Sequence, residues 1–322
     1  MTDIDLLAIV TRPDFQSGNG PIGDHMGLAR FAKARPSLCV RTIVLNAGAA
    51  RLHLEVGRLA IAQGDEAPVA LERVRLALYM PVCFEVEETN LGAIARGEPY
   101  PLFAAQQWRP LTEYLEDALP RLARCVNTPL AMRRANNKLI QLDLLRQAGL
   151  PVPGTAVSTG FPCHGALKGS AALIRKNVSE GGWKSQTEFS PARLVWGDEG
   201  DAAPAIWQAP IAADHEYRAY VMGEEVVLVR LEREADVTDV RVTRDGRPSA
   251  RIVAGEDRSK ELMRAAARAL ALDYAVIDAM PDADGLVILE VNANGVWWFL
   301  PADVANVLEA RFHAFLDRML GR

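Results

Sequence analysis

Three oxygen-bearing side chains, Asp278, Glu290 and Asn292, are the residues of this 322-residue sequence whose types and spacing could do chemistry. They lie in two apolar, β-compatible runs, residues 273–280 and 286–292, flanking a Pro-Asp-Ala-Asp-Gly segment. That pattern marks a hairpin with a short loop. With residues 281–285 as the loop, Met280 is expected opposite Leu286, Asp278 opposite Ile288 and Val276 opposite Glu290. Alternation then sets Asp278, Glu290 and Asn292 on one face, with Asp278 and Glu290 as diagonal neighbours. A single acidic residue in a strand is usually a rim carboxylate satisfied by arginine and water. Two carboxylates and an amide on an otherwise apolar face are costly to leave unpaired. They are hard oxygen ligands of the kind Mg2+ takes, with substrate phosphate completing the shell.

Cationic residues suited to phosphate lie upstream. Lys138 falls in an amphipathic segment that starts at the Thr128-Pro129 cap pair and repeats Ala135, Leu139, Leu142 and Leu145 at helical spacing up to Gly149. Lys176 ends an apolar strand, residues 171–178, that runs into Gly181-Gly182. A glycine pair there suits a flap whose backbone amides close over polyphosphate, and a simple β-turn is the competing reading. Arg218 belongs to a second hairpin, residues 216–222 and 225–231 around Gly223-Glu224, where it shares a face with Tyr220, Met222, Val227 and Val229. A guanidinium on so apolar a face needs a partner, either Glu216 or a bound phosphate. Both remain open from the sequence.

The remaining elements must position these groups. Residues 4–10 read as a buried first strand, 42–45 as a second and 74–82 as a third, with Pro99 to Pro101 as a connection. Residues 108–122 read as an amphipathic helix with Leu111, Tyr114, Leu115, Ala118, Leu119 and Leu122 inward. Gly18, Gly20 and Gly23 have the look of a dinucleotide loop, but Pro21 interrupts the spacing and Asp24 follows where phosphate would be received, so a plain loop is expected. Residues 205–211 read as a short strand broken by Pro210. An Ala-rich helix over 257–272 leads into the acidic hairpin. A final helix over 304–320 is expected to turn Val307, Leu308, Phe312, Phe315 and Leu316 inward.

Composition excludes several classes. The chain is 49% hydrophobic and 24% charged with a net charge of −5, and it carries no basic run, so nucleic acid is not an expected partner. Its start has no basic n-region and too short an apolar run for a signal peptide or a membrane span, which reads as cytoplasmic. Cys39, Cys83, Cys125 and Cys163 are widely separated and suggest neither a zinc site nor a disulfide framework.

Lys138, Lys176, Gly181-Gly182, Arg218, Asp278 and Glu290-Val-Asn292 occur in the order found in ATP-grasp ligases, and residues 126–300 resemble that superfamily. Two stretches, 134–155 and 289–295 with the following Trp297-Trp298, resemble the graspetide (microviridin-type) peptide maturases and the ribosomal-protein glutamate ligases. The resemblance implies an α/β (α+β) ATP-grasp fold: an N-terminal α/β domain over residues 1–125, a central lid over 126–210 and a C-terminal antiparallel-sheet domain over 211–322. It implies ATP and Mg2+ as cofactors. Lys138 and Lys176 would contact nucleotide phosphates with Gly181 and Gly182, and Gln208 would lie near the adenine. Arg218 and, by a looser match, Arg241 would face the transferred phosphate, and Asp278, Glu290 and Asn292 would hold Mg2+. Ala293 stands where the family often has proline, and no acidic residue follows Gln208.

The function these readings imply is carboxylate activation as an acyl phosphate followed by attack of an amine or hydroxyl. The leading expectation is a ligase that cross-links side chains of a ribosomally made precursor peptide. A ligase acting on an amino acid or small metabolite is the second, and a nucleotide-binding regulatory protein without turnover is the third. The expected partners are a precursor peptide or small carboxylate or amine substrate, with a homodimer admitted.

Overall fold

A computed structural model describes residues 3–10, 26–44, 50–55, 58–80, 99–159, 167, 172–178, 192–195, 204–233, 248–283 and 285–322. The chain divides into two compact units, one made of residues 1–132, 296–298 and 309–322, the other of 133–295 and 299–308.

In the first unit, β1 (Ile4–Val10) is followed by α1 (Leu28–Ala34), β2 (Val40–Val44), β3 (Ala50–Glu55), β4 (Arg58–Gln63), β5 (Val69–Ala70) and β6 (Val74–Met80). Then come α2 (Pro99–Leu122), β7 (Arg124–Val126) and the start of α3 (Pro129–Asn136). A parallel sheet has the order β2-β1-β6-β7, and β3-β4-β5 form a separate antiparallel sheet. Leu6, Leu7, Ala8 and Ile9 are all fully buried, which explains why β1 reads as an unbroken apolar run rather than an alternating one. Pro99 opens α2 instead of forming a connection, consistent with a first-turn proline having no hydrogen bond to lose. Leu115, Ala118 and Leu119 are buried as expected, whereas Tyr114 is exposed.

The C-terminal helix α6 is numbered after the second unit's helices below and spans Ala302–Met319. Its later turns are fastened to the first unit by arginines. Arg30 and Arg35 donate to the carboxylates of Glu309 and Asp317, each from Nε at 2.7 Å. Arg75 Nη2 and Arg124 Nη1 reach the carbonyls of Leu320 and Met319 at 2.9 and 3.0 Å, satisfying acceptors that a helix end leaves without partners. Phe312, Phe315 and Leu316 are buried, but Val307, expected inward, is 40% exposed.

The second unit holds α4 (Lys138–Gln147), β8 (Thr155–Ser158), β9 (Ala172–Asn177), β10 (Ala192–Val195), β11 (Ala205–Gln208), β12 (His215–Met222) and β13 (Glu225–Glu232). These are followed by β14 (Ala250–Val253), α5 (Asp257–Ala269), β15 (Tyr274–Asp282) and β16 (Gly285–Asn292). One antiparallel sheet has the order β10-β9-β11-β8, packed about Leu167, Leu173, Ala205 and Trp207. A larger one runs β14-β13-β12-β15-β16. Met263, Ala266 and Ala267 of α5 are buried in helical periodicity beneath it.

Two local expectations are corrected here. The single helix expected from Thr128 to Gly149 is two helices, because Asn137 adopts an extended conformation and its side-chain oxygen accepts from the amides of Leu139 and Ile140. Asn137 therefore caps a new helix whose first residue is Lys138. The acidic hairpin also has a different register. Its strands extend further toward the turn, pairing Pro281 with Leu286 and Met280 with Val287. This one-residue slip, carried straight on, would turn Glu290 away from Asp278. A β-bulge next to Asp278 and Ala279 takes up the slip, so Asp278 lies directly opposite Glu290, and Val276 opposite Asn292.

Candidate active site

Strand pairing builds the site as a row across the larger sheet. Arg218 of β12 pairs with Asp278 of β15, which pairs with Glu290 of β16. All three project from one face, and Tyr220, Val276 and Asn292 form the next row on that face. Arg218 forms its ion pair with Asp278, a residue sixty positions away that was not among the partners expected from the sequence. Nη1 of Arg218 donates to both Asp278 oxygens at 2.8 and 2.9 Å, and Nε donates to the Tyr220 hydroxyl at 3.3 Å. The guanidinium also lies 5.2 Å over the Phe299 ring. Burial works against the charge of Arg218, but Asp278 and Tyr220 outweigh it and raise the pKa. Burial pushes the Tyr220 hydroxyl up to about 12, against the pull of Arg218. Glu216 is buried on the same face and adds to the field on Arg218.

Asn292 Nδ2 donates to Asp278 Oδ2 at 3.2 Å, and Lys138 Nζ lies 3.3 Å from Glu290 Oε1. Lys138, Lys176, Gln208 and Glu290 line one cleft together with Gln141, Leu142, Ile206 and Leu289. Lys176 reaches it from β9. Burial pushes its ammonium pKa down and Lys138 adds to that, while Glu290 and Asp278 oppose it. Gln208 is buried and donates to Thr155 Oγ1 at 3.0 Å. Seven of the expected site residues thus converge in the second unit, and Gly181, Gly182 and Arg241 lie outside the described residues.

Among the described residues no three His, Cys, Asp or Glu side chains converge. A metal would be held by the carboxylates of Asp278 and Glu290 and the Asn292 amide oxygen, the remaining positions being taken by external oxygens. That is the chemistry of a Mg2+ site that depends on substrate phosphate, and the residues fit it.

Two contributors were not visible in the sequence as site residues. Tyr274 donates its hydroxyl to the Gly295 carbonyl at 2.6 Å, pinning the turn that follows Asn292. Gly295 itself lies so close to the sheet that a Cβ would come 2.4 Å from Val276 Cβ. The other is Gln141, an amide at a buried position of an apolar helix stripe, which is a signal of a polar network.

No family model matches the chain. In sequence it is 29% identical over 178 residues to the ribosomal protein bS6–L-glutamate ligase of Escherichia fergusonii, a match covering 52% of this chain and 59% of that protein. The chain therefore spans less than two thirds of that curated relative's length. In structure it is similar to the macrocyclase MdnC of Microcystis aeruginosa MRC, bound with precursor peptide MdnA. That likeness has a TM-score of 0.69 at 17% identity over 97% of this chain and 99% of MdnC. It is equally similar to the ATP-grasp ligase PsnB complexed with minimal precursor, Mg and ADP, with a TM-score of 0.70 at 19% identity over 98% of this chain and 99% of PsnB. The fold is ATP-grasp. Within that ATP-grasp frame the antiparallel sheet carrying Arg218, Asp278 and Glu290 and the smaller sheet carrying Lys176 are the two walls of the cleft. Among the described residues no helix is long and apolar enough to cross a membrane.

Proposed function

We propose that the chain is an ATP-dependent ligase that activates a carboxylate as an acyl phosphate and passes it to an amine or hydroxyl, and that it cross-links side chains of a ribosomally made precursor peptide. The observation that carries this reading is the charge row Arg218, Asp278, Glu290 across three strands, extended by Lys138 on Glu290 in a cleft that Lys176 also lines. Three cations and two carboxylates around one cleft could serve both a divalent metal and anionic phosphates.

In this reading Asp278, Glu290 and Asn292 hold Mg2+, which when bound supplies charge neutralisation on the terminal phosphates. Lys138 and Lys176 bind those phosphates, with Gly181 and Gly182 as the flap over them and Gln208 on the adenine side. Arg218, buried and fixed by Asp278 and Tyr220, presents a preorganised charge to the phosphoryl group in transfer, and Arg241 is a second contact to it. The lid assigned to residues 126–210 has to exclude water, because water would hydrolyse the acyl phosphate. MdnC and PsnB were each captured with a precursor peptide, and PsnB with Mg and ADP, which supports the peptide and nucleotide parts of the reading.

The test is incubation of the full chain with MgATP and the peptide encoded beside its gene. The expected result is a peptide lighter by one water per link, with ADP and phosphate released. An unchanged peptide and no ADP would overturn the reading. A second reading is favoured by the bS6–L-glutamate ligase match: the amine is then a free amino acid. In that case the substrate that bears the activated carboxylate gains the mass of the amino acid less one water.

A further inference from the structure

Gln141 is 2% exposed and lies in the second unit between the end of α3 and the edge strand β16. Its Nε2 donates to the carbonyls of Ala135 and Val291 at 2.6 and 2.7 Å, and its Oε1 accepts from the Val291 amide at 2.9 Å. Only one orientation of the amide can give two hydrogen bonds to carbonyls and take one from an N–H, so the group is fully specified. Val291 stands on the outer edge of β16, where among the described residues no further strand pairs with it. The Gln141 carboxamide takes both of its backbone groups as a neighbouring strand would.

Val291 is the residue between Glu290 and Asn292. Gln141 is three residues after Lys138, on the same side of α4, so the helix that delivers Lys138 to Glu290 is the one that grips the strand there. The third hydrogen bond, to Ala135, holds the end of α3 against this junction, and Asn137 caps the helix between them. Backbone, cation and carboxylate are thereby set from a single side chain. Resting on the metal reading above, we propose that Gln141 is a positioning residue of the metal site: by clamping Val291 it fixes the spacing of Glu290 and Asn292 and their placement against Lys138. A residue that orients ligands without touching the metal still governs metal affinity, commonly by about tenfold to a hundredfold.

The experiment is calorimetric titration of ATP into the full chain over a Mg2+ series, with thermal unfolding recorded in parallel. Gln141→Met keeps the length of the side chain and removes all three hydrogen bonds. Gln141→Glu keeps the acceptor for the Val291 amide and, protonated as burial beside two carbonyls favours, one of the two donors. The expected result is a Mg2+ midpoint raised about tenfold to a hundredfold in Gln141→Met and less in Gln141→Glu. A lowered unfolding temperature with an unmoved Mg2+ midpoint would overturn the inference and leave the metal reading standing, since the wild type would still show its Mg2+ dependence. A wild type whose ATP binding is indifferent to Mg2+ would overturn both. Should Gln141→Met fail to fold, the midpoint of Gln141→Glu decides by the same criterion.

Discussion

Asp278 and Glu290 sit abreast on one face, yet their surroundings differ enough to separate what each does for stability and for chemistry. Asp278 neutralises a guanidinium that is only 8% exposed, whereas Glu290 meets Lys138 at a more open position. Glu290→Gln is expected to abolish ADP release while changing stability by less than about 1 kcal/mol. Asp278→Asn removes activity too, but it strands a buried cation and should cost about 3–5 kcal/mol, readable by denaturant unfolding. Lys176 gives a pH signature. Its ammonium is held below the ordinary 10.5 by burial, and bound phosphate restores it. Affinity for ATP is then full below the depressed value and falls as pH rises through it, so binding takes up a proton at pH values above the depressed one. Calorimetry in buffers of different ionisation enthalpy should detect that uptake, and Lys176→Arg, which stays charged, should bind without it. The types and order of these residues were legible in the sequence. The pairing of Arg218 with Asp278 was not, because it is set by strand neighbours sixty positions apart, and no local pattern near Arg218 points to them.

At the level of elements, α5 was readable because it has one buried face, and β1 and the β12–β13 hairpin because their strands are apolar runs buried on both sides or bounded by a short turn. The acidic hairpin was readable only in part. Its Pro-Asp-Ala-Asp-Gly segment admits several loop lengths, and the choice made here is a tighter turn with an added bulge. The two changes together move the partner of Asp278 by two residues, which keeps the face and alters the pairing. The break at Asn137 was hidden for a similar reason, since the apolar stripe runs through it while the capping side chain acts against the stripe. The turn after Asn292 offers a test of how closely this hairpin is fitted. Gly295→Ala brings a Cβ against Val276 and should destabilise by about 1–3 kcal/mol, with a parallel loss of Mg2+-dependent ATP binding. Adding Val276→Gly, which removes the Cβ that the new methyl meets, should recover part of the Mg2+-dependent binding, as measured by calorimetry on the double variant.

For the whole molecule, identity of 17–19% with MdnC and PsnB goes with near-complete structural coverage, so the fold rests on the pattern of buried faces rather than on particular side chains. The first unit carries three carboxylates, Asp5, Glu309 and Asp317, whose pKa values are lowered. For Glu309 and Asp317 the leading cause is the bond from Arg30 or Arg35; for Asp5 burial opposes, and the Cys39 amide and Arg75 prevail. A depressed folded-state value means stability that is present above the ordinary carboxylate range and lost as pH falls through the folded values. Hydrogen exchange at pH 7 and below pH 4 should therefore show protection in β1, α1 and the end of α6 falling on acidification, and Asp317→Asn should blunt that change. The arginine fastenings of α6 carry one more consequence. Neither compact unit is an uninterrupted run of chain, since residues 296–298 and 309–322 return to the first after the second has been made. A gene cut after codon 132 would encode a fragment in which Arg30 and Arg35 have lost the carboxylates, and Arg75 and Arg124 the carbonyls, that the C-terminal segment gives them, so this protein should resist being split there into halves that are each soluble alone.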